Sequence, residues 1–390
     1  MNILIWSNQF SIGGGMRLLY NLTAAIARQP GVERVRLVVA PNSQLRNYVE
    51  LQKTGNIEIC YNTFPINHPQ SSHLLANMNV VYFFWPHTEQ FQAIDRPTVC
   101  TFHDTTIFDF VPPFMKGDEL SFHWRLSKKW IDHTSSVVVS SQHVKNRLIA
   151  HFGNRSEQAY VIPHAITPIA NVYNRKVSPE LGARIPSDYI IYPSNTSPHK
   201  NHNNLLMGLA KSKYKRKYPL VLTGYLTDKM RIPFPDSTSE VNWIPTLVST
   251  MKRTGLFLDR QVYPLGFVSD NDIPALIKNA KALIMPSLSE GGGSYPVEEA
   301  LRLGTPVLCS DIPVMREHLS RHSAKIAWFD PHNPDSIAKA LDDLFDNYDS
   351  YKLSALHGVH DPTQTWDDIA KQYIEVFRIT FWRYYGKILY

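Results

Sequence analysis

Short apolar runs alternate with amphipathic stretches along this chain. Ile3-Leu-Ile-Trp6, Val35-Arg-Leu-Val-Val-Ala40, Val80-Val-Tyr-Phe-Phe84, Thr98-Val-Cys-Thr-Phe102 and Ser136-Val-Val-Val-Ser140 each have the length and composition of a buried strand. After the first run, Leu18, Leu19, Leu22, Ala25 and Ile26 recur at helical spacing. The rhythm restarts with Tyr189-Ile-Ile-Tyr-Pro193, Leu220-Val-Leu-Thr223, Val262-Tyr-Pro-Leu265, Ala282-Leu-Ile-Met285 and Val307-Leu-Cys309. Strands that alternate with helices predict α/β halves, each built on a parallel sheet covered on both faces. Residues 165–187 carry scattered proline and polar residues without a period, which places a domain boundary near residue 180. Residues 228–260 read as a loop excursion plus one helix. From Trp366 the tail is helical, with Tyr373, Phe377, Phe381, Trp382 and Tyr385 at roughly helical intervals, so residues 371–390 are expected to dock back on the N-terminal domain.

The chain has 390 residues, 43% of them hydrophobic and 19% charged. That is enough for two packed cores and excludes a disordered chain. No apolar run is long enough to span a membrane, and Met1-Asn-Ile-Leu-Ile-Trp6 reads as a core strand rather than a signal peptide. Three dispersed cysteines, Cys60, Cys100 and Cys309, fit neither a disulfide scaffold nor a zinc site and suit a reducing cytoplasm. A net charge of +6 without a basic tract suits an anionic ligand or a weak membrane-surface attraction, not a nucleic-acid partner.

The chemistry concentrates after the strand 282–285. Gly291, Gly292 and Gly293 let backbone N–H groups approach a ligand, and Pro296 sits where the first turn of a helix accepts proline. Gly304 stops that helix and Thr305-Pro-Val-Leu-Cys309 begins the next strand. A helix N-terminus behind a glycine loop binds anions. Glu290, Glu298 and Glu299 add acceptors for hydroxyls. Anion donors beside hydroxyl acceptors describe a receptor for a sugar nucleotide.

The string from Pro286 to Val307 resembles the signature of the retaining glycosyltransferases of family 4, which have the GT-B fold. Gly13-Gly-Gly-Met-Arg17, Phe102-His-Asp-Thr-Thr106, Val161-Ile-Pro-His164, Asn195-Thr-Ser-Pro-His-Lys-Asn201 and Leu265-Gly-Phe-Val-Ser-Asp270 resemble further family segments in the family's order. The resemblance implies two Rossmann-like, doubly wound domains facing across a cleft. Residues 1–180 would bind the acceptor, 181–370 the nucleotide sugar, and 371–390 would cross back. It implies that His103, Lys200 and Glu290 serve catalysis. Gly14, Gly15, Asn195, Lys200, Phe267, Glu290, Gly291, Gly292, Gly293, Ser294 and Glu299 would bind the donor. The family spacing between its two glutamates selects Glu298, whereas the distance to Gly304 selects Glu299. Glu299 is preferred, because a loop absorbs an inserted residue more easily than a helix does. Asn195 stands where many members have arginine, so Lys200 would neutralise the diphosphate, with His199, His202 or Arg17 assisting.

The implied activity is metal-independent transfer of a hexose, mannose in preference, from a nucleoside-diphosphate sugar to a glycan or lipid-linked acceptor in surface-polysaccharide synthesis. No cofactor or metal is expected. The expected location is the cytoplasm or the inner face of the membrane. The alternatives are a non-catalytic sugar-nucleotide-binding or scaffold protein and a GT-B epimerase or phosphorylase. Asp270-Asn-Asp272 imitates a metal motif but reads as a helix cap before Ile273. Trp124, Arg125, Lys128, Lys129 and Trp130 read as a solvated helix face with buried tryptophans.

Overall fold

A computed structural model of the protein describes residues 1–7, 14–41, 43, 51, 54–86, 90–111, 115–165, 176–232, 243–269 and 271–386. The glycine loop up to Gly13, the linker stretch 166–175, the segment 233–242, Asp270 and the tail including Lys387 lie outside the described residues. The chain forms two compact units, one of residues 1–167 with 363–390, the other of 168–362. The division therefore falls at 167/168 rather than near 180, and the returning segment begins at 363 rather than 371. Trp366, Ile369 and Ala370 are already buried, so the apolar face of the tail starts before residue 371.

Among the described residues seven strands build the first unit: β1 (Asn2–Ser7), β2 (Arg34–Val39), β3 (Ile57–Tyr61), β4 (Val80–Phe83), β5 (Thr98–Phe102), β6 (Ser136–Val139) and β7 (Tyr160–Val161). Their order is β3-β2-β1-β4-β5-β6-β7, and every pair is parallel. The order reverses between β1 and β4, which makes a ligand crevice at the carboxyl ends of these strands. Helix Gly14–Ala27 covers the sheet with Leu18, Leu19, Leu22, Ala25 and Ile26, the positions whose spacing predicted it. The edge strand β3 has no counterpart in the sequence reading. Its residues are half-buried or exposed, so it lacks the apolar run of a central strand.

In the second unit β8 (Ile190–Pro193), β9 (Leu220–Thr223), β10 (Val262–Pro264), β11 (Ala282–Met285), β12 (Val307–Ser310) and β13 (Ile326–Phe329) form a parallel sheet. The order is β10-β9-β8-β11-β12-β13, with the reversal between β8 and β11.

The C-terminal helix Trp366–Gly386 packs against helix Gly14–Ala27 and β5 of the first unit. Phe377 and Tyr373 lie on Tyr82, with ring centroids 5.5 Å away in each case. A hydroxyl chain runs from Tyr82 through Thr101 to Tyr373, at 2.8 and 3.2 Å. Thr380 bonds Ser136 at 2.8 Å, which ties the helix to β6. Trp382, by contrast, is 70% exposed and contributes nothing to this face.

Phe377→Ala should lower the unfolding free energy by ~3–5 kcal/mol, because a fully buried ring leaves a cavity. Trp382→Ala should change it by less than ~0.5 kcal/mol. Urea unfolding of both variants checks the contrast; equal effects would mean that the helix is not docked on this face.

Candidate functional site

Two loops leave the carboxyl ends of the adjacent strands β8 and β11, whose pairing sets Ala282 opposite Ile190 and Leu283 opposite Ile191. The parallel register delivers both loops to the same edge of the sheet. Leu288 N–H donates to the His199 carbonyl at 2.8 Å and joins them. Asn201, in the left-handed region at φ 60°, donates to the carbonyls of Pro286 and Pro331, both at 2.8 Å. One amide thus ties the loops after β8, β11 and β13. Tyr192 Oη donates to the Lys200 carbonyl at 2.8 Å. On this scaffold Lys200 Nζ and Glu290 Oε1 stand 2.6 Å apart, with side chains 16% and 11% exposed. Asn195 is exposed, and its Oδ1 accepts from Ser197 N–H at 3.0 Å, an Asx turn.

Gly291 and Gly292 are buried and lead to helix Tyr295–Arg302, with Ser294 at its N-cap. The Ser294 hydroxyl makes no capping bond. Buried, it has no hydrogen-bond partner among the described residues; neither does the Thr196 hydroxyl in the loop after β8. Ser294 borders the glycine loop, so its hydroxyl is a candidate ligand contact. Sequence reasoning selected Ser294 and missed Thr196, which carries no motif of its own. Phe267 follows β10 and is 63% exposed.

Glu298 and Glu299 are both 97% buried or nearly so, but only Glu298 is met by two imidazoles. His318 Nε2 lies 2.7 Å from its Oε1 and His322 Nε2 2.9 Å from its Oε2. Both are ion-pair distances, with angles short of ideal hydrogen-bond geometry. Burial alone pushes the Glu298 carboxyl up; the two imidazoles outweigh it and hold it at about 2. The histidines were not singled out in the sequence, because nothing in their spacing indicates the carboxylate they meet.

His199 and His202 flank Lys200. Burial first, then the Lys200 charge, lowers each imidazole to about 3. Both rings are therefore neutral near pH 7. Lys200 carries the positive charge of this trio. His202 packs on Tyr192 with the rings tilted and their centroids 4.8 Å apart, and neither ring nitrogen has a hydrogen-bond partner among the described residues.

In the first unit His103 directly follows β5 and is 3% exposed. Its Nδ1 lies 3.1 Å from His164 Nε2, and its ring packs on Phe84 and Trp85 at 4.5 and 4.4 Å. Ser140 Oγ donates to its carbonyl at 2.6 Å. Gly14, exposed, and Gly15, half-buried, open helix Gly14–Ala27.

Two further expectations hold only in part. Asp272 occupies an N-cap position before Ile273, yet makes no side-chain cap bond; its carboxylate takes Ser178 N–H at 3.4 Å and Ser269 Oγ at 3.3 Å. Of the two tryptophans on helix Gly117–His133, Trp130 is buried but Trp124 is 37% exposed. Among the described residues no group of three His, Cys, Asp or Glu side chains is arranged to hold a metal ion, and no helix is long and apolar enough to cross a membrane.

Residues 12–168 match Glycosyltransferase Family 4 and residues 175–354 match Glycosyl transferases group 1. The chain belongs to this glycosyltransferase family. It is similar to O-antigen chain mannosyltransferase B of Escherichia coli, with 25% identity over 311 residues, 76% of this chain and 72% of the relative. O-antigen chain mannosyltransferase RfbU of Salmonella typhimurium is 25% identical over 65% of each chain. Among solved structures, Anabaena HepE in complex with UDP and glucose has a TM-score of 0.64 at 18% identity, over 100% of this chain and 99% of that one. WaaG, a glycosyltransferase involved in lipopolysaccharide biosynthesis, has a TM-score of 0.66 at 11% identity, over 97% and 99%. The fold of each unit, with these neighbours, is that of the GT-B glycosyltransferases.

The buried imidazoles make stability pH-dependent. His202 titrates near 6.5 when unfolded and at about 3 when folded. The unfolded chain therefore binds more protons below pH 6.5, and stability falls as pH falls. His199 and Glu298 act in the same direction, Glu298 from its ordinary 4.5 down to about 2. Between pH 6 and 4, His202→Gln should flatten the decline by ~1.4 kcal/mol per pH unit. Unfolding free energies at several pH values check this; an unchanged slope would mean that His202 is charged in the fold.

Proposed function

We propose that this chain is a retaining, metal-independent hexosyltransferase. It takes a hexose, mannose in preference, from a nucleoside-diphosphate sugar and passes it to a glycan or lipid-linked acceptor in surface-polysaccharide synthesis. The observation that carries this reading is the Lys200–Glu290 pair at the switch point of the second sheet. It sets an ammonium beside a carboxylate as a sugar diphosphate sets its phosphates beside its hydroxyls. The donor replaces the pair one for one: phosphate oxygens take Lys200, and a sugar hydroxyl donates to Glu290. The backbone of Gly291, Gly292, Gly293 and Ser294, ahead of the helix N-terminus, receives sugar and phosphate. Glu299 accepts the ribose hydroxyls, since Glu298 is held by His318 and His322. Asn195 and Phe267 border the donor, and Gly14 and Gly15 are the first unit's candidates for a phosphate contact.

In the transfer the bond from the anomeric carbon to the diphosphate breaks and negative charge grows on the leaving oxygen. Lys200 and the loop amides stabilise that charge more in the transition state than in the bound donor. The acceptor hydroxyl attacks from the same face, its proton passes to the leaving phosphate, and the new glycosidic bond keeps the anomeric configuration. His103, its ring orientation set by His164, is the first unit's candidate for a sugar hydroxyl. Mannose is favoured by the two relatives named as O-antigen mannosyltransferases. Exposed Phe122 and Trp124, on a helix with Arg125 and Lys129, support contact with a membrane that carries the acceptor.

Lys200→Ala should lower kcat by ~10²–10³ with a smaller rise in the donor KM, and Lys200→Arg should restore little of it. Transfer should persist in EDTA. Steady-state kinetics with GDP-mannose decide this; an unchanged kcat with only a raised KM would remove Lys200 from the reaction.

Glu299→Gln should erase any preference for GDP over 2′-deoxy-GDP, ~10-fold for one lost charged hydrogen bond. Calorimetric titration of both nucleotides checks the assignment, and a variant that keeps the full preference would return the ribose role to Glu298.

A further inference from the structure

Gly293 has φ 110°, and a Cβ there would lie 2.3 Å from Cε1 and Nδ1 of His318 and 2.5 Å from its Cγ. No side-chain atom tolerates such contacts, so the imidazole lies flush against the backbone of the glycine loop. The same ring meets Glu298 at 2.7 Å through Nε2. Glu298 in turn lies 2.9 Å from His322, and His322 Nδ1 lies 3.7 Å from Asp361. Asp361 accepts from Ser323 N–H and Oγ at 2.7 and 2.9 Å. Arg302 donates to the Val359 carbonyl beside this row at 3.1 Å. A row of carboxylates and imidazoles, most closely packed at Glu298, therefore runs from the glycine loop across two helices to Asp361.

Apolar side chains of similar volume would fill this space at less cost, because burying carboxylates and imidazoles requires giving up their hydration. What the polar row supplies is fixed geometry. Glu298 sits one turn into helix Tyr295–Arg302 and His318 near the end of helix Pro313–Leu319. The ring cannot slide along Gly293 without leaving Glu298. An apolar side chain in its place would have no such register.

We propose that His318, held by Glu298, is a positioning residue that seats the glycine loop for the sugar nucleotide and so sets donor affinity. This rests on the donor-site reading given above. The ring meets the loop backbone at Gly293 and takes no part in bond exchange. Its loss therefore acts on binding, and equally on every nucleotide the loop accepts. The role also accounts for the second glutamate: Glu298 keeps the loop in place while its neighbour Glu299 faces the ribose.

The test uses the full chain, with GDP and UDP as binding probes and GDP-mannose and UDP-glucose as donors. His318→Ala should weaken the bound nucleotide tenfold or more and raise the donor KM similarly, with kcat within threefold. The preference for ribo- over 2′-deoxynucleotide should stay as in the wild type, unlike in Glu299→Gln. His318→Gln, which can still donate to Glu298, should recover part of the affinity. Glu298→Gln keeps the shape of the site and should cost about fivefold, which covers the case in which His318→Ala does not fold. Gly293→Ala combined with His318→Ala should lose at least tenfold less than the product of the single losses. Unchanged affinity in both His318→Ala and Glu298→Gln overturns the inference while leaving the donor site standing. So does a loss that vanishes when the assay is cooled well below each variant's melting temperature. A wild-type protein that binds neither nucleotide overturns the donor-site reading, and this inference with it.

Discussion

The parallel pairing of β8 with β11 is the constraint on which the second unit's site depends. Two strands distant in sequence become neighbours only because the strand order reverses there. Their following loops then share one sheet edge, and Lys200 comes within 2.6 Å of Glu290 across ninety positions of chain. Neither side chain would hold such a position from a single loop. Asn201 carries the constraint into the third loop by bonding Pro286 and Pro331 together. The first unit repeats the principle around β1, β4 and β5, where His103 leaves its strand between the packed rings of Phe84 and Trp85.

Electrostatics at the second site follows from burial. The same desolvation that leaves His199 and His202 neutral makes Lys200 the charge that counts, and the Glu290 carboxylate at ion-pair distance keeps it tolerable. Glu298 shows the opposite balance: desolvation works against its charge, and two imidazoles overcome it. Adjacent glutamates thus separate into different environments because successive helical residues point ~100° apart.

Much of this was legible in the sequence. The central strands are continuous apolar runs, because both faces of each sheet are covered. The glycine loop with its helix and stop is local, so Gly291, Gly292, Gly293, Ser294 and Glu290 could be read in place. Lys200 and His103 came only through the family resemblance, since no local pattern ties either to the loop it serves. The edge strand β3 escaped because half of its surface is exposed, and the histidines around Glu298 because their partner lies some twenty residues away. The choice between Glu298 and Glu299 turned on where an extra residue is accommodated, which the two imidazoles beside Glu298 could not have signalled in the sequence. Trp124 was misread for a simpler reason: the period of a helix tells which residues share a face, not how far along the helix that face stays covered.

The central claim is chemical: a sugar leaves its nucleoside diphosphate in this protein and keeps its anomeric configuration. Time-resolved proton NMR of GDP-mannose with the protein and a mannose-terminated lipid-linked glycan observes both events together. The account predicts that free GDP and a new α-mannosidic signal grow at equal rates, with no β-linked product. Tight nucleotide binding without release of GDP from any sugar nucleotide offered, or a product of inverted configuration, would contradict it.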